Sequence, residues 1–561
     1  MNAWHRDCIY LGCRDVGIVV RTRSQDMIFH IAKKEFLNNL LSARFVIGFL
    51  LCLVLIPFSV ILGIGDYRDQ MGQSKIDRDA AEKTMKEIRV YSYLRPVLVF
   101  PPEPLGIFGK GISGQVGNQV KIKLGEKPLL AEGKTAARDN PFLASFFSVD
   151  FVDIAAIILS LLALLFSYDA LTKEKEDGTL RQQMANPLAR SSLLAGKLTG
   201  ILMTLLPVMV FCFLLGGLIV LFSSDLAFSA REWGRLALLS LVCLAYLVLF
   251  VLVGMFVSSR TRSSVSSLVL CLFLWVFLVF IVPNMASYLA ESFVATESRD
   301  NLIGVLTDMD RGLRERMVGA EKNLARPDWE MNWWMNGGDD GREETYGCSA
   351  SYFEYKRQRA SSWEPMRIDN ADAKWGPQAA YLESLSRQAR AAEDLALISP
   401  AGIFRAVATA LCGTDRRAQE KRLEDVRRYR ETFIGYLKGK DIFSKFEYFT
   451  PTPPALFITA DAMIETLSGG KFKTEVEYDV WANKQTDSKK TWDALKAGEL
   501  KGAKPDDYPF LVVNDMPRYT ERAVSVAGSL EDSVVRLGLL FAECLVLFAL
   551  AYVAFIRYDV R

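Results

Sequence analysis

Six apolar runs, each of membrane-crossing length, constrain this chain more than any other feature. A helix needs roughly 20 apolar residues to cross about 30 Å of hydrocarbon. The runs are Phe45–Ile64, Phe151–Phe166, Ile201–Phe222, Leu236–Val257, Val265–Val282 and Val534–Phe555. The second is the shortest and reaches full length only with Asp150 or Tyr168 in the headgroup layer. Any one of them alone would suit a buried core helix. Six together, several without a charge, predict a polytopic α-helical membrane protein with six transmembrane helices. Half of the chain is hydrophobic, yet 24% is charged. Most of the charge lies in the segments between the runs, above all in two insertions at about 66–149 and 284–532.

Lys and Arg near the span ends orient the bundle. Arg21, Arg23, Lys33, Lys34 and Arg44 precede the first run, and Lys173, Lys175, Arg181, Arg190 and Lys197 follow the second. Arg260 and Arg262 sit between the fourth and fifth, and Arg557 and Arg561 follow the sixth. The short 223–234 loop has only Arg231, beside Asp225 and Glu232. The alternation predicts a cytoplasmic N-terminus, a cytoplasmic 168–199 loop and two extracytoplasmic insertions. Long domains translocate largely regardless of their own charge, so the basic residues of the insertions do not oppose this.

The 168–199 loop is the most informative of the connections. It breaks at Asp177-Gly178, restarts at Thr179-x-x-Gln182 and breaks again at Pro187. Thr179 and Gln182 have the spacing of a capping box, which predicts a helix of about two turns at about 178–186. Before the first span, Ile28, Ile31, Phe36, Leu37, Leu40 and Leu41 alternate with Lys33, Lys34, Asn38 and Asn39. This spacing predicts an amphipathic helix over 27–43 that lies in the interface plane. Residues 1–26 are basic, carry Cys8 and Cys13, and read as an extension outside the fold, with disorder one reading of them.

In the first insertion, Asp79–Arg89 is helical in pattern. Prolines 101, 102 and 104 exclude regular helix after it, and Val120 to Leu124 alternates as a half-exposed strand. The second insertion, near 250 residues, reads as mainly α with some β: helical at Glu291–Ala325, Ala379–Leu397 and Arg416–Leu437. The apolar piece from Ser399-Pro400 to Asp415 suits either an outer-leaflet rest or a domain core. Trp329, Trp333 and Trp334 suit local packing, the commoner use, or contact with a ligand or lipid headgroup.

Much chemistry is missing. The only histidines are His5 and His30, both on the predicted cytoplasmic side, so no metal site or His-paired nucleophile is available outside. No P-loop occurs, and the net charge of +2 gives no reason to expect nucleic acid. A membrane enzyme with an outside active site is therefore a weak reading. Of nine cysteines, Cys348 and Cys412 share the predicted outside compartment; a disulfide and two free thiols are equal alternatives. Glu543 lies midway along the last span. A carboxylate there costs roughly 2.5–3.5 kcal/mol on insertion scales. It suits a substrate or subunit contact, or a hydrogen bond to a Ser or Thr.

The 168–199 segment, with Glu174, Glu176, Gly178-Thr179-Leu180, Pro187, Arg190 and Gly196-Lys197, resembles the cytoplasmic loop of type-2 ABC transporter permeases. The outside portions are similar to a subgroup with large extracytoplasmic insertions, including gliding-associated and nitrous-oxide-reductase-maturation permeases. The similar pieces are Pro101-Pro102-x-Pro104-Leu105, Ser399-Pro400, Gly413-Thr414-Asp415, Met516-Pro517-Arg518-Tyr519 and the ending Phe555 to Arg561. The resemblance implies an exporter permease subunit in the bacterial cytoplasmic membrane, coupled to a separate ABC ATP-binding subunit that holds ATP and Mg. No cofactor or metal would sit in this chain. It would pair with a second copy or a paralogous permease, contact membrane lipid and, in some systems, a periplasmic protein. The ATPase contacts implied are Glu176, Gly178, Thr179, Leu180, Arg181, Gln182, Met184, Pro187 and Arg190. Lys33, Lys34, Glu35, Phe36 and Leu40 would belong to the family's connecting helix. The alternative is a force relay or scaffold acting on an extracytoplasmic partner without substrate translocation. Nothing in the sequence names a substrate.

Overall fold

The computed structural model describes residues 27–113, 117–129, 150–185, 189–224, 226, 228–327, 332–338, 342–496, 498–521 and 526–557. Residues 1–26, Pro187, Trp329 and Tyr558 to Arg561 lie outside them. Six helices are long and apolar enough to cross a membrane, one for each apolar run, and the protein is a polytopic α-helical membrane protein.

Helix α1 spans 27–40. The chain then turns at Ser42, whose hydroxyl donates to Asn39 O at 2.6 Å and accepts from Phe45 N at 3.3 Å. This caps α2 (Ala43–Lys86), a helix of 44 residues and so about 66 Å long, twice the hydrocarbon thickness. The first span and the helical stretch expected after it are one rod. The second span, α3 (151–167), starts at Asp150, which accepts from Asp153 N at 2.8 Å. Two short helices follow, α4 (Thr172–Glu176) and α5 (Thr179–Ala185). The remaining spans are α6 (Arg190–Phe222), α7 (Ala230–Arg260), α8 (Ser264–Phe293) and, at the end of the chain, α16 (Val526–Ile556).

Two spans contain a π-helical turn, Ala155–Leu159 in α3 and Phe277–Ile281 in α8. Such a turn disturbs the regular backbone ladder, and in hydrocarbon a carbonyl without a partner is costly. Side chains from neighbouring elements reach carbonyls in both turns. The Tyr246 hydroxyl donates to Ala156 O at 2.8 Å, and the Ser399 hydroxyl donates to Leu278 O.

Ser399 also caps a helix whose place the sequence left open. In Pro400–Cys412, ten of thirteen residues are buried, and they join the core of the span bundle rather than a core of the polar domain. Phe404 stacks on Tyr246 with ring centroids 4.5 Å apart. Tyr246 lies fourteen residues from the Arg260 end of its span, or about 21 Å, so this helix reaches well into the bundle. Its one charge there, Arg405, meets Asp153 at 3.3 Å.

The two insertions, read from sequence as separate units, share one core. The strands β1 (Val97–Val99) and β2 (Gln119–Lys121) pair antiparallel, with Leu98 opposite Val120. Leu98, Phe100, Val120 and Ile122 pack with Phe353, Ile368, Val426 and Phe433 of the second insertion. Apolar faces this small cannot bury themselves alone, which is why the two segments fold on each other. The second insertion contributes α9 (Arg299–Glu321), the antiparallel pair β3 (Asn332–Gly338) and β4 (Arg342–Cys348), α10 (Ala350–Ala396), α11 (the buried Pro400–Cys412) and α12 (Arg416–Gly439). Helix α10 runs through Pro365 and Pro377, where the prolines had hidden its first half. A satellite lobe holds α13 (Ala460–Leu467), α14 (Glu475–Ala482) and α15 (Ser488–Ala494) around Met463, Leu467 and Leu495.

Cys348 and Cys412 do not pair. Both are free and buried, the first in the domain core and the second in the bundle core.

Arg430 of α12 closes the joint between the insertions. It is 1% exposed and donates to Lys123 O at 3.2 Å and Leu124 O at 2.5 Å, while meeting Asp372 at 3.1 Å. Replacing it with Met takes the guanidinium donor from two part-buried carbonyls, at up to about 1–3 kcal/mol each. Arg430→Met should therefore speed tryptic cleavage within 97–124 at least tenfold and leave the six spans protected.

Candidate functional site

The segment after the second span is tied to every span of the bundle, and its ties are side chains that finish helix ends. At Ser258, near the end of α7, the hydroxyl accepts from Leu171 N at 2.9 Å and Thr172 N at 3.1 Å, which caps α4. In return Lys175 donates to the carbonyls of Ser258, Ser259 and Thr261 at 3.0, 2.8 and 3.0 Å. A cation at a helix C-terminus also matches the negative end of its dipole. Glu176 accepts from Ser264 N at 2.9 Å and from its hydroxyl at 2.5 Å, at the positive end of α8. Arg44 at the start of α2 meets Asp169 at 2.8 Å. Arg190 donates to Phe555 O at 3.4 Å and to Ile556 O at the end of α16.

The centre of this layer is Lys197 on α6. It is 1% exposed, and its ammonium lies 2.7 Å from Glu35 of α1 and 2.8 Å from Glu174 of α4. Gln183 of α5 donates to the same Glu174 oxygen at 2.9 Å. Side chains thus run without a gap from α5 through Gln183, Glu174 and Lys197 to Glu35 on α1. Helix α1 can approach because Gly196 and Gly200 face it one turn apart. A Cβ on Gly196 would meet Ile31 at 2.8 Å, and one on Gly200 would meet the Glu35 side chain at 2.6 Å and Ala32 O at 2.8 Å. Small residues four apart permit such close backbone approach.

The residues expected to contact a partner divide into two sets. Arg181 and Gln182 are exposed, with Lys173, Asp177 and Gly178 on the same outer edge. Gly178 takes φ +70°, a left-handed turn that sets α5 off from α4. Leu180, by contrast, is 2% exposed and belongs to the bundle core, with Met184 packed against it. These two anchor α5 and do not form its outer face. Thr179 is itself the first helical residue, and its hydroxyl donates to Glu174 O at 3.5 Å, so it stands one place inside the position expected for a cap. On α1, Lys33 and Lys34 are exposed, while Glu35, Phe36 and Leu40 are half-buried. Gly196-Lys197 and Glu174 carried the resemblance, yet their structural part was not foreseen. Spacing along the chain cannot show that a lysine 162 residues from Glu35 is its partner.

Glu543 is half-buried in α16, and its Oε2 is buried with no hydrogen-bond partner among the described residues. The expected Ser or Thr partner is thus not found for that oxygen.

Lys197→Met removes the one cation between two inward-facing carboxylates, a change worth about 3–5 kcal/mol. It should release α1, seen as at least tenfold faster proteolysis at Lys33 and Lys34 in the detergent-solubilised protein. Gly200→Leu should do the same by steric exclusion, with the ion pairs chemically intact.

Comparison with known proteins covers almost the whole chain. The family model described as ABC-2 family transporter protein matches residues 29–560. No curated protein matches the chain. In that family the membrane subunit is the permease of an ABC transporter and works with a separate ATP-binding subunit. A match that runs from α1 through all six spans and the loop after the second shows that the chain belongs to the ABC-2 family of transporter membrane proteins.

Proposed function

We propose that the chain is the permease subunit of an exporter-type complex and that ATP hydrolysis on a partner subunit drives it through α5. The observation that carries this reading is the outward edge Lys173, Asp177, Arg181 and Gln182 on a short helix whose inner side, Leu180, is buried in the bundle. A push on that edge cannot be absorbed locally. It reaches α1 and α6 through Lys197, α7 through Lys175, α8 through Glu176, α2 through Arg44 and α16 through Arg190. In this reading the loop face is cytoplasmic, the insertion domain is extracytoplasmic, and a second permease subunit completes the complex in the bacterial cytoplasmic membrane.

One feature favours a second output, force applied to a partner of the insertion domain. Helix α2 leaves the bundle unbroken and ends beside the domain core, where Ser74 meets Phe100 O at 3.5 Å. A continuous rod carries displacement as well as it carries a span. Reconstituted with its ATP-binding subunit, an exporter should show ATPase activity stimulated by a transported substrate. A relay should respond only to an extracytoplasmic protein.

Two measurements test the placement. Arg181→Glu combined with Gln182→Arg should abolish co-purification with the ATP-binding subunit while span insertion is unchanged. Leu180→Asp should instead lower the yield of folded protein; normal folding with lost binding would show that Leu180 is a contact after all. A cysteine introduced at Ser488 should react with an impermeant maleimide in intact cells, and one at Asp177 should react only after permeabilisation.

A further inference from the structure

A cavity of about 860 Å³ lies between α9, α10 and the β3–β4 pair, away from the coupling segment. Among the described residues, five cations and three carboxylates line it. The pairing inside is lopsided. Glu343 of β4 alone serves two cations of α10: it contacts Lys356, which is 3% exposed, and it receives Nη2 of Arg359 at 2.9 and 2.7 Å. Glu364 likewise serves two, Arg367 at 3.1 Å and Arg95, which acts on it electrostatically from the first insertion. Three cations of the lining, Lys356, Arg359 and Arg367, thus share two carboxylates, while Arg95 and Glu321 act on the group from outside the lining. Burial pushes the Glu364 carboxyl up against the pull of Arg367 and Arg95 and pushes the Lys356 ammonium down to about 7, so the two shifts act in opposite directions on the local charge, and an anion beside Lys356 would favour its protonated form.

The walls hold this charge in a fixed shape. The Arg359 guanidinium lies 4.7 Å from the Trp363 ring centroid, and the Trp363 indole donates to Met317 O of α9 at 3.2 Å. A stacked guanidinium is pre-organised for a planar or tetrahedral oxyanion. Glu343 is held by its backbone, since Ser92 donates to Glu343 O and accepts from Glu343 N at 3.3 Å. Its side chain is therefore dispensable for keeping the hairpin in place.

We propose that this cavity binds a phosphate dianion, as the free ion or as a soluble phosphomonoester. Two negative charges match the excess of two cations, and the volume accommodates more than the phosphate alone. Glu343 occupies the cation pair when the site is empty and competes with the ligand for Lys356 and Arg359.

The test is isothermal titration of the full-length protein in non-ionic detergent with inorganic phosphate and, separately, sn-glycerol 3-phosphate, at ionic strength held constant with chloride. Saturable one-site binding of either probe is expected. The tighter of the two identifies the source as the free ion or the ester. Arg359→Ala should weaken binding at least tenfold. Glu343→Gln should tighten it at least threefold, a gain that a folding defect does not produce. Absence of saturable binding with both probes, unchanged affinity in Arg359→Ala, or unchanged or weaker affinity in Glu343→Gln would each overturn the proposal.

Discussion

A helix that crosses hydrocarbon must end somewhere, and each end leaves up to four backbone groups without intrahelical partners. Much of the polar architecture of this protein answers that requirement. Asp150 caps the second span, the Ser229–Glu232 capping box starts the fourth, and Ser263 and Glu176 serve the fifth. Lys175 takes up three carbonyls at the end of the fourth, and Arg190 two at the end of the sixth. The partners come from other elements as often as from the same one. Satisfying helix ends is therefore the same act as joining helices together.

That coincidence concentrates the joints where the chain is most polar within the bundle, at 168–197. The segment is short, and among its described residues Glu174, Lys175, Glu176 and Arg190 are each committed to a helix end or to Lys197. A buried ammonium between two carboxylates is costly to separate. Motion of α1 relative to α4 is resisted by that cost, and motion of the whole layer is not. The other face of the bundle uses a different device. There α11 fills the space between spans, and the hydroxyl of the serine before it donates to a carbonyl in the π turn of the fifth. The two faces are thus built for different duties, a rigid tie and a packed plug.

Legibility from sequence followed the range of the forces involved. Each apolar run falls within one long helix, because crossing hydrocarbon is a demand on consecutive residues. The amphipathic pattern of α1 and the break at Gly178 were legible for the same reason. The position of Thr179 was read one residue off, since a cap and the first turn differ by a single dihedral pair. Leu180 and Met184 were read as contacts because an apolar residue on a short surface helix suits either side; only the packing turned them inward. Helix α10 was half hidden by Pro365 and Pro377, whose local penalty is outweighed by the long faces that the helix buries.

The sequence by itself determined the number of spans, the existence of the short helix between the second and third, and the absence of a phosphate-binding loop for ATP. These depend on neighbours along the chain. The tertiary structure alone decided that the two insertions share a core, that Cys348 and Cys412 are in different cores, that Lys197 bridges Glu35 and Glu174, and that Glu343 and Glu364 each serve two cations. Most of these are meetings of residues far apart in sequence; the Glu364–Arg367 pair, on one helix, is the exception. Their energy comes from burial and charge pairing in a low-dielectric interior, and that interior exists only once the chain has folded.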